Sequence, residues 1–206
     1  MPSSREHWNH IYAAKPTDRV SWYAPHLERS LATIEGLQLP PDAPIIDVGG
    51  GASTLVDDLL ARGHRDVTVA DLSAIALQHA QQRLGQRAQE VNWLTGDITR
   101  MALPHQHFAV WHDRAVFHFL TDPEDRQRYV AQCRQAVRPG GYVLVATFGL
   151  HGPERCSDLL VARYDADGLH DAFGAEFVKV SSLTETHTTP WGTEQEFVYC
   201  LCRTGI

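Results

Sequence analysis

Cysteine is scarce in this chain: four residues of 206, at Cys133, Cys156, Cys200 and Cys202. They are too few and too scattered for a disulfide framework. Cys133 falls on an apolar helix face, and Cys200 and Cys202, two apart in a strand, share one face, so all three read as small buried hydrophobes. Apolar runs are short, none approaching the ~20 residues that cross a bilayer. No charged-then-apolar leader opens the chain, which leads to the expectation of a cytoplasmic protein with no membrane partner. Basic clusters are also missing. The net charge is −7 with neutral histidines, and lysine and arginine form no stripe, which argues against nucleic acid as a partner. Twelve histidines contain no HExxH and no paired Cys/His set. His105 and His107 form one close pair in a turn, so no metal is expected. Repeats and low-complexity tracts are absent. What is present is 43% hydrophobic residues, consistent with a single domain over 1–206 with a continuous core.

The most informative stretch is IIDVGGGAS, Ile45 to Ser53. Ile45, Ile46 and Val48 predict a short buried strand whose one charge is Asp47. Ser53 is placed to cap a helix carrying Leu55, Val56, Leu59 and Leu60 at helical spacing. Glycines between strand and helix let a ligand lie on bare backbone near the positive end of the helix dipole. A dinucleotide fingerprint wants a third glycine three residues after the second. Gly49 and Gly51 fit the first two positions, but Thr54 stands at the third. Asp47 would also repel a pyrophosphate.

Further strands follow in order. DVTVAD ends at Asp71, with Leu72 next, about 20 residues past the glycines, the spacing at which a carboxylate grips a ribose diol. Ser73 caps the next helix, which carries Leu77, Ala80 and Leu84 on one face. VNWLTGD ends at Asp97 and Ile98, and FAVWHD at His112 and Asp113. A helix capped by Asp122 with Pro123 in its first turn leads to a tight turn, RPGG at 138–141, and a strand over 142–148. The segment 149–163 is too polar and broken for a regular element. A short helix begins at Asp165, and two strands flank the turn TTPWG to close the chain. The reading is an α/β protein with an arm over 1–40 and a core over 41–206.

Acid-x-Gly-x-Gly followed by these acid-tipped strands resembles the class I S-adenosylmethionine-dependent methyltransferases across roughly residues 40–203. The resemblance implies a Rossmann-like, doubly wound seven-stranded sheet of order 3-2-1-4-5-7-6, its last strand antiparallel. It also implies S-adenosyl-L-methionine as cofactor and S-adenosyl-L-homocysteine as product. Asp47 with Gly49, Gly51 and Ser53 would face the cofactor's cationic amino-acid tail. Asp97 and Ile98 would hold the adenine amino group. The arm is dense in aromatics (Trp8, Tyr12, Trp22 and Tyr23). It is either a clasp on the sheet or a lid whose Tyr12 and Trp22 touch the sulfonium and the substrate.

The acceptor side is less defined. Asp113-Arg114-Ala115, Arg128-Tyr129-Val130-Ala131 and the PGG turn resemble the thiopurine S-methyltransferase family, whose relatives methylate thiols and other soft atoms. That family carries a different turn where this chain has DVGGGAS. DRAVF (113–117) also resembles an element of seven-strand protein lysine methyltransferases. The expectation is a small-molecule acceptor, with a thiol or other soft heteroatom leading and a protein lysine as alternative. Asp113, His112 and His118 are the candidate catalytic groups. Asp113 has the alternative of pairing with Arg114 or capping the turn after it, and His118 that of a helix-surface histidine. Trp22, Arg114, Phe117, Arg155, Arg163 and Tyr164 are the candidate acceptor contacts. For the two loop arginines the alternative is an ion pair with Glu154, Asp158 or Asp165. Cys156 is a candidate thiol for a thiophilic ligand. A nicotinamide oxidoreductase and a non-catalytic S-adenosylmethionine-binding regulator are the readings from other classes.

Overall fold

A computed structural model describes residues 4–205; residues 1–3 and 206 of the expected 1–206 span lie outside the described residues. Seven strands form the central sheet: β1 (Ile45–Val48), β2 (Val67–Asp71), β3 (Val91–Thr95), β4 (Phe108–Arg114), β5 (Val137–Phe148), β8 (Phe177–Thr188) and β9 (Glu194–Thr204). Two short strands, β6 (Arg155–Cys156) and β7 (Leu159–Leu160), make a separate hairpin in the segment expected to be irregular. The sheet order is β3-β2-β1-β4-β5-β9-β8. Strands β1 to β5 run parallel, and β9 is antiparallel to both β5 and β8. Counting sheet strands alone, this is the Rossmann-like order 3-2-1-4-5-7-6 with its last strand antiparallel.

Alternation along the strands divides the core between two faces. Ile45, Val110 and Leu144 pack with α2 (Glu28–Gly36), α3 (Leu55–Ala61) and α4 (Ala74–Leu84) through Leu31, Ile34, Leu55, Leu59 and Leu77. Ile46, Trp111 and Val143 point the other way, onto α5 (Pro123–Ala136) and α6 (Ala166–Asp171) through Tyr129, Cys133, Leu169 and Phe173. Each such fully buried large side chain contributes roughly 1.5–3 kcal/mol. The period of two sends neighbouring residues to opposite faces, so His112 and Asp113 belong to different halves of the molecule.

Caps follow the sequence with one shift. Ser73 Oγ accepts the Ala76 N–H, Asp122 the Glu124 N–H and Asp165 the Gly168 N–H. At α3 the cap position falls to Thr54; Ser53 Oγ accepts the Leu55 N–H at 3.2 Å from one residue further out. The expected free-standing RPGG turn is absorbed into β5, which starts at Val137 and bulges opposite Phe108 and Val110. Gly140, at φ 72°, makes that bulge possible. The helix α1 (Ser4–Ala14) carries the aromatic arm across the carboxyl ends of the strands, packed against α4. Among the described residues, no helix is long and apolar enough to cross a membrane.

Candidate cofactor and acceptor site

The glycine turn leaves β1 in a backbone shape that side chains resist. Gly49 has φ 69°, and a Cβ there would collide with the Val116 side chain. Gly51 has φ 37°, and its Cβ would come within 2.7 Å of Asp71 Oδ2. Arg83 holds the far side of the turn from α4, donating to the Ala52 carbonyl at 2.9 Å and the Ser53 carbonyl at 2.6 Å. Beneath the turn, Asp47 is buried, and its Oδ2 has no hydrogen-bond partner among the described residues. A small recess beside it is lined by Tyr12, Trp22, Gly49, Ser53 and Arg114. An ionised carboxylate cannot stay buried with an unpaired oxygen at low cost, so this position fits a cationic partner.

A larger cavity of about 620 Å³ adjoins the turn at the switch point between β1 and β4. Asp71, Leu72, Asp97 and Ile98 line it together with Tyr12, Trp22 and Arg114. Asp71 Oδ1 accepts the Ser73 N–H at 2.7 Å. Burial pushes the Asp71 pKa up to about 7, with the Asp47 charge adding to the rise. Asp97 Oδ1 accepts both the backbone and the hydroxyl of Thr99, at 2.9 and 2.7 Å. The donor set of an orphaned buried carboxylate, a bare glycine turn and a strand-end acid fits an S-adenosyl amino acid.

The arm closes this cavity. The rings of Trp8 and Trp22 lie 5.8 Å apart, those of Tyr12 and Trp22 6.1 Å, and Trp8 meets Phe119 at 5.1 Å. His79 Nε2 bonds the Tyr12 carbonyl at 3.0 Å. Burial pushes the Tyr12 pKa up, with the neighbouring Asp71 charge in the same direction.

Of the candidate catalytic groups, His112 lines the recess beside Asp47, whereas Asp113 and His118 line neither the recess nor the cavity. Asp113 is fully buried against α5, accepting from the Val116 N–H at 2.8 Å, the Phe117 N–H at 3.0 Å and the Tyr129 hydroxyl. It caps the turn after β4 rather than facing the cavity, and that turn holds Ala115 at φ 76°. His112 is buried between Asp47 and Ser30. His118 is buried too, its Nδ1 accepting the Phe148 N–H at 3.3 Å; burial, with Arg114 nearby, lowers its pKa to about 3. It is a neutral core imidazole, not a helix-surface group.

Of the candidate acceptor contacts, Trp22 and Arg114 border the cavity. Phe117 is sealed among Tyr129, Tyr164 and Phe173, so neither it nor Tyr164 lines the cavity. Arg155 bonds the Asp158 carbonyl within the hairpin, and Arg163 clamps the Leu150 and Gly152 carbonyls and pairs with Glu154. Those two arginines hold their own loop. Residues not foreseen at the cavity include Arg5, Thr99, Val116, Phe119, Asp125 and Phe148. Cys156 does line it, as a neutral thiol whose pKa burial raises to about 11.

Known proteins share this architecture. Residues 45–141 match the family described as "Methyltransferase domain". A Drosophila melanogaster relative, named an eEF1A lysine and N-terminal methyltransferase homolog, is 27% identical over 164 residues, covering 73% of this chain and 24% of its own. A Coxiella burnetii ubiquinone biosynthesis O-methyltransferase is 26% identical over 145 residues, covering 68% of this chain and 59% of its own. This chain thus spans about a quarter of the first relative and about three-fifths of the second. The solved N-methyltransferase NodS of Bradyrhizobium japonicum, bound to S-adenosyl-L-homocysteine, superposes with a TM-score of 0.73 at 14% identity, over 98% of this chain and 99% of its own. The fold is that of the class I S-adenosylmethionine-dependent methyltransferases, and the domain match, over just under half of the chain, agrees with it.

Proposed function

We propose that the chain transfers a methyl group to a small acceptor carrying a soft anionic atom, a thiolate or a comparable species, held beside Arg114. The carrying observation is the state of that arginine. Arg114 borders the main cavity and the recess by Asp47, and among the described residues its hydrogen bonds go to uncharged groups. It donates to the Tyr199 hydroxyl at 3.1 Å and the Trp22 carbonyl at 3.0 Å, and lies 4.3 Å from the Phe197 ring centroid. A guanidinium so held can stabilise an incoming anion without reorganising.

S-adenosylmethionine, when bound, supplies an electrophilic methyl on a sulfonium. Asp47 would hold its ammonium, Asp71 its ribose diol, and Asp97 with Ile98 its adenine edge. The aromatic arm over the cavity excludes water, and Trp22 and Arg114 orient the acceptor. Neither Asp113 nor His118 is placed to act as a base, since one is committed to a turn and the other is sealed in the core, and neither lines the cavity. An acceptor that arrives already ionised needs none.

A protein amine is the second reading, favoured by the name of the Drosophila relative. A screen for S-adenosylhomocysteine release over thiols, selenite, tellurite, thiopurines, halides, amines and protein extracts decides between them. The proposal expects turnover with soft anions that follows acceptor ionisation, and an Arg114→Gln variant with a raised KM. Turnover confined to amines or protein extracts overturns it.

A further inference from the structure

Asp47 and His112 stand directly opposite each other in the β1–β4 pairing, on the same face of the sheet. His112 Nδ1 lies 2.7 Å from Asp47 Oδ1, and Nε2 lies 2.8 Å from the hydroxyl of Ser30 on α2. All three residues are buried, none more than 2% exposed. An ionised Asp47 only accepts, so Nδ1 carries a proton, and in the neutral imidazole the Nε2 lone pair then accepts the Ser30 hydroxyl. Asp47 Oδ2 is the member left without a partner. It sits beneath the glycine turn, where a Cβ on Gly50 would come within 2.5 Å of it.

We propose that Ser30 and His112 are positioning residues that fix the Asp47 carboxylate, turning its second oxygen to the recess that receives the cofactor's ammonium. This rests on the S-adenosylmethionine reading of the site. The residue types are those of a hydrolase triad, but Ser30 is sealed on the core side of α2, where no substrate reaches it. A purely structural network would also pair Oδ2, because buried polar networks are worth most when complete. Without His112, Asp47 is free to rotate, and its burial carries the full desolvation cost. The chain therefore spends α2, a helix outside the glycine motif, on the aim of one carboxylate oxygen.

The test compares two ligands by calorimetry. S-adenosylhomocysteine carries the ammonium; 5′-methylthioadenosine keeps the adenosyl and sulfur but lacks the amino-acid tail. His112→Leu is expected to weaken S-adenosylhomocysteine by about tenfold or more while shifting methylthioadenosine by no more than about twofold. His112→Asn keeps a donor near the Nδ1 position and is expected to recover most of the loss. Ser30→Ala, which frees the imidazole at its other end, is expected to fall between. If His112→Leu does not fold, Ser30→Ala must still show the ligand-selective loss. Equal weakening of both ligands, or unchanged S-adenosylhomocysteine affinity in folded His112→Leu or Ser30→Ala, overturns the proposal. Failure of the wild type to bind either ligand overturns instead the cofactor reading on which it rests.

Discussion

The Ser73 hydroxyl donates to Asn9 Oδ1 at 2.7 Å, joining the aromatic arm to the cap of the helix that begins beside Asp71. The same hydroxyl oxygen accepts the Ala76 N–H, so arm, helix cap and strand-end acid form one connected group. The arm therefore closes on the part of the cavity where a ribose would lie. Hydrogen exchange over residues 5–26 is expected to slow when S-adenosylhomocysteine is added. Asn9→Ala, losing a hydrogen bond of about 0.5–1.5 kcal/mol, should diminish that slowing. Equal protection with and without ligand would make the arm a fixed clasp.

Cofactor affinity should depend on the charge of Asp71. Its pKa is raised from an ordinary 3.8 to about 7. The folded, ligand-free chain thus holds a proton that the unfolded chain has lost, and this group's contribution to stability falls as pH rises between those values. Asp113, raised to about 6, has the same sign; His118, lowered to about 3, has the opposite one, because its neutral folded form disfavours folding as pH falls. A ribose diol donates to the ionised carboxylate, so S-adenosylhomocysteine affinity should rise as pH climbs through about 7. Asp71→Asn is expected to remove that rise. Titration calorimetry from acidic to mildly alkaline pH measures it, and a flat wild-type profile would contradict it.

Tyr129 connects two buried groups: its hydroxyl donates to Asp113 and accepts from Trp111 Nε1 at 2.8 Å. Tyr129→Phe leaves both short of a partner and is expected to cost ~1–3 kcal/mol of stability. Turnover per folded molecule should change little, since Asp113 faces the turn and not the cavity. Asp113→Asn should cost about tenfold in kcat/KM through the placement of Arg114. Denaturant unfolding beside kinetics separates the two. A loss in the range of ~10²–10⁴ in a folded Asp113→Asn enzyme would restore Asp113 as the base.

The strands and the glycine turn were legible because they rest on local patterns, and the sheet order followed from the family resemblance those patterns carry. A strand run into glycines, and acids at strand ends, mean much the same wherever the chain goes. The acceptor half depended on which face each strand-four residue takes and on what crosses it from afar. Asp113 reads equally as a base or as a turn cap until the Val116 and Phe117 amides are seen on its two oxygens. The Ser30–His112 contact joins residues 82 apart, and no periodicity announces it. Arg155 and Arg163 were placed at the acceptor by charge alone; the carbonyls of their own loop claim them. Phe119 went unforeseen because its contact with Trp8 comes from the fold of the arm.

The most direct test of the account is calorimetric titration of S-adenosylhomocysteine and NAD into the wild type and Asp71→Ala. The account expects S-adenosylhomocysteine to bind and NAD not to bind. It expects Asp71→Ala to lose one charge-assisted contact worth ~1.5–3 kcal/mol, roughly ten- to a hundredfold in affinity. Tighter binding of NAD, or an unchanged S-adenosylhomocysteine dissociation constant in Asp71→Ala, would contradict it.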